Sequence, residues 1–533
     1  MMGSVDQDTG ESIGGIVPTQ PHPVAAPGGD VAEPASAVAH PVRPAALWRF
    51  GRRHAVFGVL LLLGATARAL VLVAYPPALM YLGDSGAYLD QAWRGLWPGD
   101  WRPSGYPIFL RLIDGPGHLT RIVVVQHLLT LAVAVGLYAA ALRAVRRPWL
   151  AALAAAAALL APWVLDLGQF VLADSLFGVL VAAGVAVLAG SVRPGARAAA
   201  VAGLLLGAAL CVRTVGYGPL LVAALVLIVD AARSRLGARA RAGLPLAAFV
   251  LAAAAPIGAY AGWSASEGKG FTVSAHSGYF LYGRVAPFVD CASFSRPDLR
   301  SLCDPRPVAQ RGAPVRYLWP ADSRLRQGHR GIPAGREDLA AQFAHQAVRE
   351  QPWMLVTSSL RYLAGYLSPV PHETAKTSRA DTWELPTRTT NALPADDPHA
   401  EDGYFVATTV RAPAAALADW SRLSYPPLPL IGLGLLAGVA ATALALARPV
   451  RTRRRPWPAG AGSAAVERAG TGHLAAGRLF WLAAGSSVST LVLSAVTAGF
   501  DYRYLGAVIG PAGLAAVVGA AWFVAVLRRR TPG

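Results

Sequence analysis

Seven ionisable side chains sit where an apolar chain has least use for them: Asp84, Arg102, Asp166, Asp174, Arg213, Arg284 and Arg503. Each lies between or just inside apolar runs. Charge in such surroundings is costly unless it is paired or faces a water-reachable cavity. Together these residue types suit one kind of chemistry. Arginine grips phosphate through two parallel hydrogen bonds. A carboxylate takes the proton of an attacking hydroxyl. When that hydroxyl attacks a sugar carbon bearing phosphate, the phosphate leaves without a general acid and the anomeric centre inverts.

Asp84 lies in "YLGDSGAYLDQAWRGLWPGDWRPSGYPIFL", between Gly83 and Gly86, which permit close approach of a bulky substrate. It is the candidate base. Asp90 in the same stretch reads as a surface acid or local ion-pair partner. Arg102 precedes Pro103, which favours an extended backbone there. Asp174 falls several residues into the apolar run "QFVLADSLFGVLVAAG", and Arg68 poses the same problem from the basic side. Arg213, at a joint between two apolar runs, is placed to partner an acid. Asp166 reads as a cap on a helix joint. His127 reads as buried packing with one hydrogen bond. His276 in "SAHSGYF" is a second candidate base, since imidazole serves near pH 7. The two lysines, Lys269 and Lys376, receive no role. Tyr106, Trp97 and Trp101 read as anchors at a membrane interface.

The elements that must position these residues are membrane spans. Of 533 residues, 54% are hydrophobic and only 15% charged, against about 25% in an ordinary soluble protein. Mean hydropathy is +0.41. The net charge of +18 is not a nucleic-acid footprint. Its basic runs, "RAVRRP", "RSRLGARARAG", "RTRRRP" and "LRRRTPG", each follow an apolar segment, as positive-inside anchors do. Apolar runs predict an all-α polytopic protein of about ten spans, near 54–76, 120–142, 149–165, 170–190, 197–212, 215–230, 244–262, 427–448, 477–498 and 505–527. "DLGQ" is expected to join the third and fourth as a hairpin. Charge bias places both termini in the cytoplasm and the loop 77–119 on the outer face of the plasma membrane.

Four regions follow. Residues 1–46 read as a disordered cytoplasmic tail and 47–262 as an N-terminal transmembrane core. Residues 263–424 read as an extracytoplasmic region with surface helices, and 425–533 as the closing spans. Within the third region "GREDLAAQFAHQAVREQPWMLVTSSLRYLAGYL" predicts an amphipathic helix on the membrane surface. Cys291 and Cys303 sit together in that region, where a disulfide is permitted; Cys211 lies in a span and reads as packing. Tyr404 and Phe405 are candidate contacts to acceptor or lipid. No Cys or His spacing makes a zinc site.

The order of "GDSGAYL", "RPSGYP" and "ADSLF", with "DYRYLGAVIGP" before the last span, resembles the GT-C superfamily of integral membrane glycosyltransferases. The nearer likeness is to bacterial relatives of protein O-mannosyltransferase and of the lipid A aminoarabinose transferase. "RPSGYP" is similar to their Arg-Pro-Pro-x-Tyr-Pro, and "ADSLF" to their Ser-Glu-Pro-Leu-Phe. The likeness covers about 50 to 230 and the final helix. It implies a GT-C-like bundle, a polyprenyl-phosphate sugar donor and action at the outer face. It implies catalytic roles for Asp84 and Asp174, exchangeable between them. It also implies a donor-phosphate clamp from Arg213, Arg284 and Arg503, with Arg102, Tyr282 and Tyr504 beside it. In some relatives these acids hold the acceptor or a divalent cation, so a cation stays open. The departure is Asp174-Ser175 in place of Glu-Pro, one methylene shorter.

These residues predict a glycosyltransferase moving sugar from that donor to a polysaccharide, lipid or protein of the envelope, among membrane lipids and without nucleic acid. A transporter or flippase of a lipid-linked sugar is the alternative. An envelope assembly protein would have little need of Asp174 and Arg213 inside apolar runs. A transferase of a phosphate-containing headgroup differs only in substrate.

Overall fold

The computed structural model describes residues 44–528 apart from 82, 116, 192–193, 234–238, 276, 330, 389–406 and 448–462. The expected N-terminal tail, His276, Tyr404 and Phe405 lie outside the described residues. Residues 1–50 and 51–533 form two units; of the first, only the start of α1 (Pro44–Ala74) is described.

The described residues of the second unit form helices joined by loops. Near the beginning of the chain come α2 (Asp84–Arg94), α3 (Gly105–Leu112), α4 (Leu119–Val145), α5 (Pro148–Leu160) and α6 (Pro162–Gln169). Next are α7 (Ala173–Ala189), α8 (Ala196–Val212), α9 (Tyr217–Ala232) and α10 (Arg239–Ser266). The middle of the chain carries α11 (Ser277–Val285), α12 (Pro297–Arg300), α13 (Val315–Leu318), α14 (Arg336–Glu350) and α15 (Pro352–Gly365). The last four are α16 (Ala414–Leu423), α17 (Leu428–Leu446), α18 (Ser463–Thr497) and α19 (Tyr502–Leu527). Among the described residues the only extended pairings are two isolated bridges, Leu79 with Phe170 and Thr377 with Phe500.

Among the described residues seven helices are long and apolar enough to cross a membrane, and eight if α5 and α6, bent by 42°, count as one broken span. The chain is a polytopic, all-helical membrane protein. The two further apolar segments expected to span, α7 and α8, are 17 residues each. Only helices satisfy their own backbone groups in hydrocarbon, which is why the apolar runs take this form.

The α5–α6 break corrects the expected "DLGQ" hairpin. Pro162 lacks a backbone N–H and ends α5, then serves as the first residue of α6, so "DLGQ" closes a helix rather than joining two. The actual link is Phe170–Leu172. The break frees carbonyls at the end of α5, and Arg68 takes them. Its Nη1 donates to Leu159 O at 2.7 Å and to Gly64 O at 2.9 Å, and Nη2 donates to Ala158 O at 3.1 Å. Arg68 is 2% exposed. Charged hydrogen bonds of this type contribute about 1.5–3 kcal/mol each. The intramembrane arginine is thus partnered by backbone, not by an acid.

Asp166, read from sequence as a cap, makes no capping bond. It lies buried within α6, and neither carboxylate oxygen has a hydrogen-bond partner. His127 behaves as expected, with Nε2 3.1 Å from Gln169 Oε1. The amphipathic helix is split by Pro352 into α14 and α15. Residues of α11, α13 and α14 build a second core around Tyr282, Phe294 and Phe343. The Cys291–Cys303 disulfide closes a loop on its edge.

Candidate functional site

Asp84 and Asp174 are brought together by backbone pairing upstream of each. Leu79 N donates to Gln169 O at 2.8 Å and Val171 N to Leu79 O at 3.0 Å. Ser85 Oγ then ties the start of α2 to the same segment, donating to Val171 O at 2.8 Å. Gly83, with φ of +80°, makes the turn into α2 that a side chain would strain. Asp84 therefore stands in the first turn of α2 and Asp174 in the first turn of α7. Helix N-termini favour negative charge in both places.

Three arginines meet these acids, from three other elements. Arg102 leaves the loop before α3; its Nη2 donates to Asp84 Oδ1 at 2.6 Å. Arg503, second residue of α19, donates from Nη1 to Asp84 Oδ2 at 2.9 Å. Arg213, extended at the end of α8, donates to Asp174 Oδ2. Tyr504 lies between the last two, its ring 5.3 Å from the Arg213 guanidinium and 5.2 Å from that of Arg503. Asp174 is 1% exposed, and its Oδ1 has no hydrogen-bond partner. Below it a cavity of about 40 Å³ runs between Thr130, Ser175, Gly178 and Gly506. That is room for about one water molecule.

Each arginine is itself braced. Gln91 and Tyr260 hold the loop before α3 through Ser104: Gln91 Nε2 donates to Ser104 Oγ at 2.6 Å, and Ser104 N donates to Tyr260 Oη at 3.1 Å. Lys269 reaches Asp100 at 2.5 Å and donates to Pro98 O at 2.7 Å in the same loop. Lys269, given no role from sequence, thus steadies Arg102. Gly105 starts α3 against the Cys211 carbonyl of α8, an approach that leaves no room for a Cβ. It holds the loop that carries Arg102 against the end of α8 that carries Arg213. Asp501 caps α19, accepting from Arg503 N at 3.1 Å. Tyr366 fixes the Asp501 backbone with two bonds of 3.1 Å.

Burial works against the ionised form of Asp84, but Arg102 and Arg503 prevail and hold its carboxyl below its ordinary value. Burial prevails at Asp501, raising that carboxyl despite Arg503. At Arg213 burial disfavours the charge, and Asp174 more than restores it. Partial exposure persists on the arginine side, with the Arg102 side chain 26% exposed.

Of the residues singled out by sequence, Asp84, Asp174, Arg102, Arg213, Arg503 and Tyr504 form one cluster. Arg284 and Tyr282 lie elsewhere. Arg284 is fully buried; its Nε donates to Ala495 O at 2.6 Å and its Nη2 to Ser358 Oγ at 2.7 Å, fastening α11 to α18 and α15. Burial pushes it down to about 10. Tyr282 donates to Leu302 O at 3.0 Å inside the second core. Among the described residues neither makes a bond to Asp84 or Asp174. Sequence reading missed Tyr81 and Asp501. Tyr81 faces the Arg503 guanidinium at 5.3 Å and stacks on Trp383. Each is the first residue of a quoted stretch, "YLGDSGAYL" and "DYRYLGAVIGP", and that position was the available signal.

Among the described residues no three His, Cys, Asp or Glu side chains gather as a metal group. Both oxygens of Asp84 face arginines, a donor set suited to anions. The cluster therefore does not fit a divalent cation, and no step is assigned to one. Comparison with protein-family models, curated proteins and solved structures finds no match.

Proposed function

We propose that this chain is an integral membrane glycosyltransferase of GT-C type. It moves a sugar from a polyprenyl-phosphate donor to an envelope acceptor at the outer face of the plasma membrane, with inversion. One observation carries the reading: Asp84 is held between Arg102 and Arg503, with the Asp174–Arg213 pair in the same cluster. All these groups stand at helix ends or in the adjoining loop, where lipid headgroups begin. Counting α7 and α8 as spans gives ten crossings, returns both termini to the cytoplasm and puts this end of the bundle outside.

The reaction balances simply. The acceptor oxygen attacks the anomeric carbon, and the sugar–phosphate C–O bond breaks. The bonding pair leaves with the polyprenyl phosphate, and the acceptor proton passes to Asp84. An Asp84 held by two arginines is a weak base. The donor phosphate competes for the same guanidiniums, and when it draws off Arg503 or Arg102, one Asp84 oxygen is released and its basicity rises. Donor binding thereby switches on the base. Arg213 and Tyr504 line the approach, and Asp174 keeps Arg213 oriented.

A flippase is the second reading, favoured by the broken α5–α6 span with buried Asp166, since discontinuous helices mark many transporters. A comparison of envelope glycans and glycolipids between wild type and Asp84→Asn cells tests both. Loss of one sugar modification, with the variant inserted in normal amount, supports transfer. Retained modification with impaired movement of the lipid-linked sugar across the membrane overturns it in favour of the flippase. Thiol labelling of single cysteines in 263–424 tests sidedness; labelling only from the cytoplasm would overturn the outer-face assignment.

A further inference from the structure

A groove of about 1680 Å³, lined by none of the residues of the acid–arginine cluster, is walled by α1, α5, α16, α17 and α19. Its walls are almost wholly apolar. Along α19 it reaches from Ile509 to Arg528, which is about 28 Å at 1.5 Å per residue. That matches the hydrocarbon core of a bilayer, about 30 Å. The charge on its lining is one-sided. Arg146, Arg147 and Arg528 line it, and among the described residues no Asp or Glu does. All three arginines stand at the end where α4 and α19 finish, opposite the end of α19 that carries Arg503. Arg146 and Arg147 are exposed, and among the described residues neither side chain forms an ion pair. Trp149 lies beside them, half exposed, in the position of an interfacial anchor. The other mouth, around Pro413, Trp420 and Ser424, is uncharged.

We propose that this groove binds a phospholipid with a net negative headgroup. Its phosphate rests on Arg146 and Arg147, and its acyl chains lie along α5 and α19 past Trp149, Leu150 and Leu153. The acid-free, arginine-bearing mouth selects the anionic headgroup, because phosphate with a further negative group pairs with two adjacent guanidiniums where a zwitterionic headgroup carries its own cation. The apolar walls take the chains. The lipid is not the sugar donor, whose phosphate must reach Arg102, Arg213 and Arg503 at the opposite end. This inference stands apart from the transferase reading and holds or fails independently of it.

The test uses the full chain purified in neutral detergent and exchanged into nanodiscs of mixed phosphatidylglycerol and phosphatidylcholine. Lipids retained after release are counted by native mass spectrometry. Wild type is expected to keep phosphatidylglycerol at least tenfold over phosphatidylcholine. Arg146→Gln/Arg147→Gln is expected to lose that preference with its thermal midpoint in lipid-free detergent unchanged, and Arg146→Lys/Arg147→Lys to keep most of it. Equal retention of the two lipids by wild type would overturn the proposal. So would an unchanged preference in the glutamine variant, which would mark an unselective lipid annulus. Displacement of phosphatidylglycerol by a polyprenyl phosphate at equal concentration would overturn it in favour of a carrier-lipid groove.

Discussion

Arg503 at the start of the last helix donates to Asp84 at 2.9 Å across 419 positions of chain. The bond closes the bundle between its first loop and its final span. Arg102 occupies the other oxygen of the same carboxylate, so Asp84 is a junction of three elements before it is anything else.

That junction makes a direct prediction. Removing one partner of a buried ion pair costs about 3–5 kcal/mol, because the other charge is left unpaired. Arg503→Gln and Asp84→Asn are each expected to lower the thermal midpoint in detergent. The double variant is expected to lose less than the two losses combined, with a coupling of about 0.5–3 kcal/mol. Strictly additive losses would mean that the two groups do not act on each other.

Acid should act on the same contact. The folded pKa of Asp84 is depressed below 3.8, and the unfolded value is about 3.9. A depressed carboxylate contributes stability that is fully present above the unfolded value and is lost as pH falls through the folded one. Wild type should therefore lose thermal stability below about pH 4. Asp84→Asn should lack that part of the loss. Asp304, kept low despite burial by Arg306 and Tyr317, titrates in both proteins, so the difference curve isolates Asp84. Superimposable acid limbs would refute the depression.

Gly105 is a positional test that touches no charge. A methyl group there meets the Cys211 carbonyl, so Gly105→Ala should push α3 from α8 and separate Arg102 from Arg213. We expect lower thermal stability and, for the proposed sugar transfer, a loss of tenfold or more. Gly258→Ala in α10 is the control, since nothing lies within 4 Å of its added carbon. Alanine there should be neutral or stabilising by up to about 1 kcal/mol. Equal behaviour of the two variants in folding and transfer assays would show that the α3–α8 approach does not position the site.

Much of this was legible in the chain. Ten apolar runs each coincide with a helix or, for 149–165, a broken pair, because hydrocarbon leaves the backbone no other choice. Asp84, Asp174 and Arg213 stood out because each interrupts an apolar run at a cost that demands a partner. Arg213 was read as a partner for an acid and meets Asp174, but the partners of Asp84 and of Arg284 were not legible. Arg284 carried the same signal as Arg503, an arginine among aromatics. Tertiary packing sent one to backbone and serine oxygens and the other to a carboxylate. Asp501 escaped notice because a cap is defined by the helix it starts, and that boundary is set only once α19 folds. Arg68 was read only as a charge in need of relief, since nothing in its own span announces that the break at Pro162 will leave carbonyls free some 90 residues later.

The Arg68 arrangement bears on how the protein is made. Entering lipid alone, the first span would carry a cation bonded only to its own Gly64 carbonyl, and the broken fifth helix would carry bare carbonyls. Each is penalised singly, and the two penalties disappear only jointly. Arg68→Leu should therefore insert its first span readily yet accumulate as a protease-sensitive intermediate, detected by limited proteolysis of the membrane fraction.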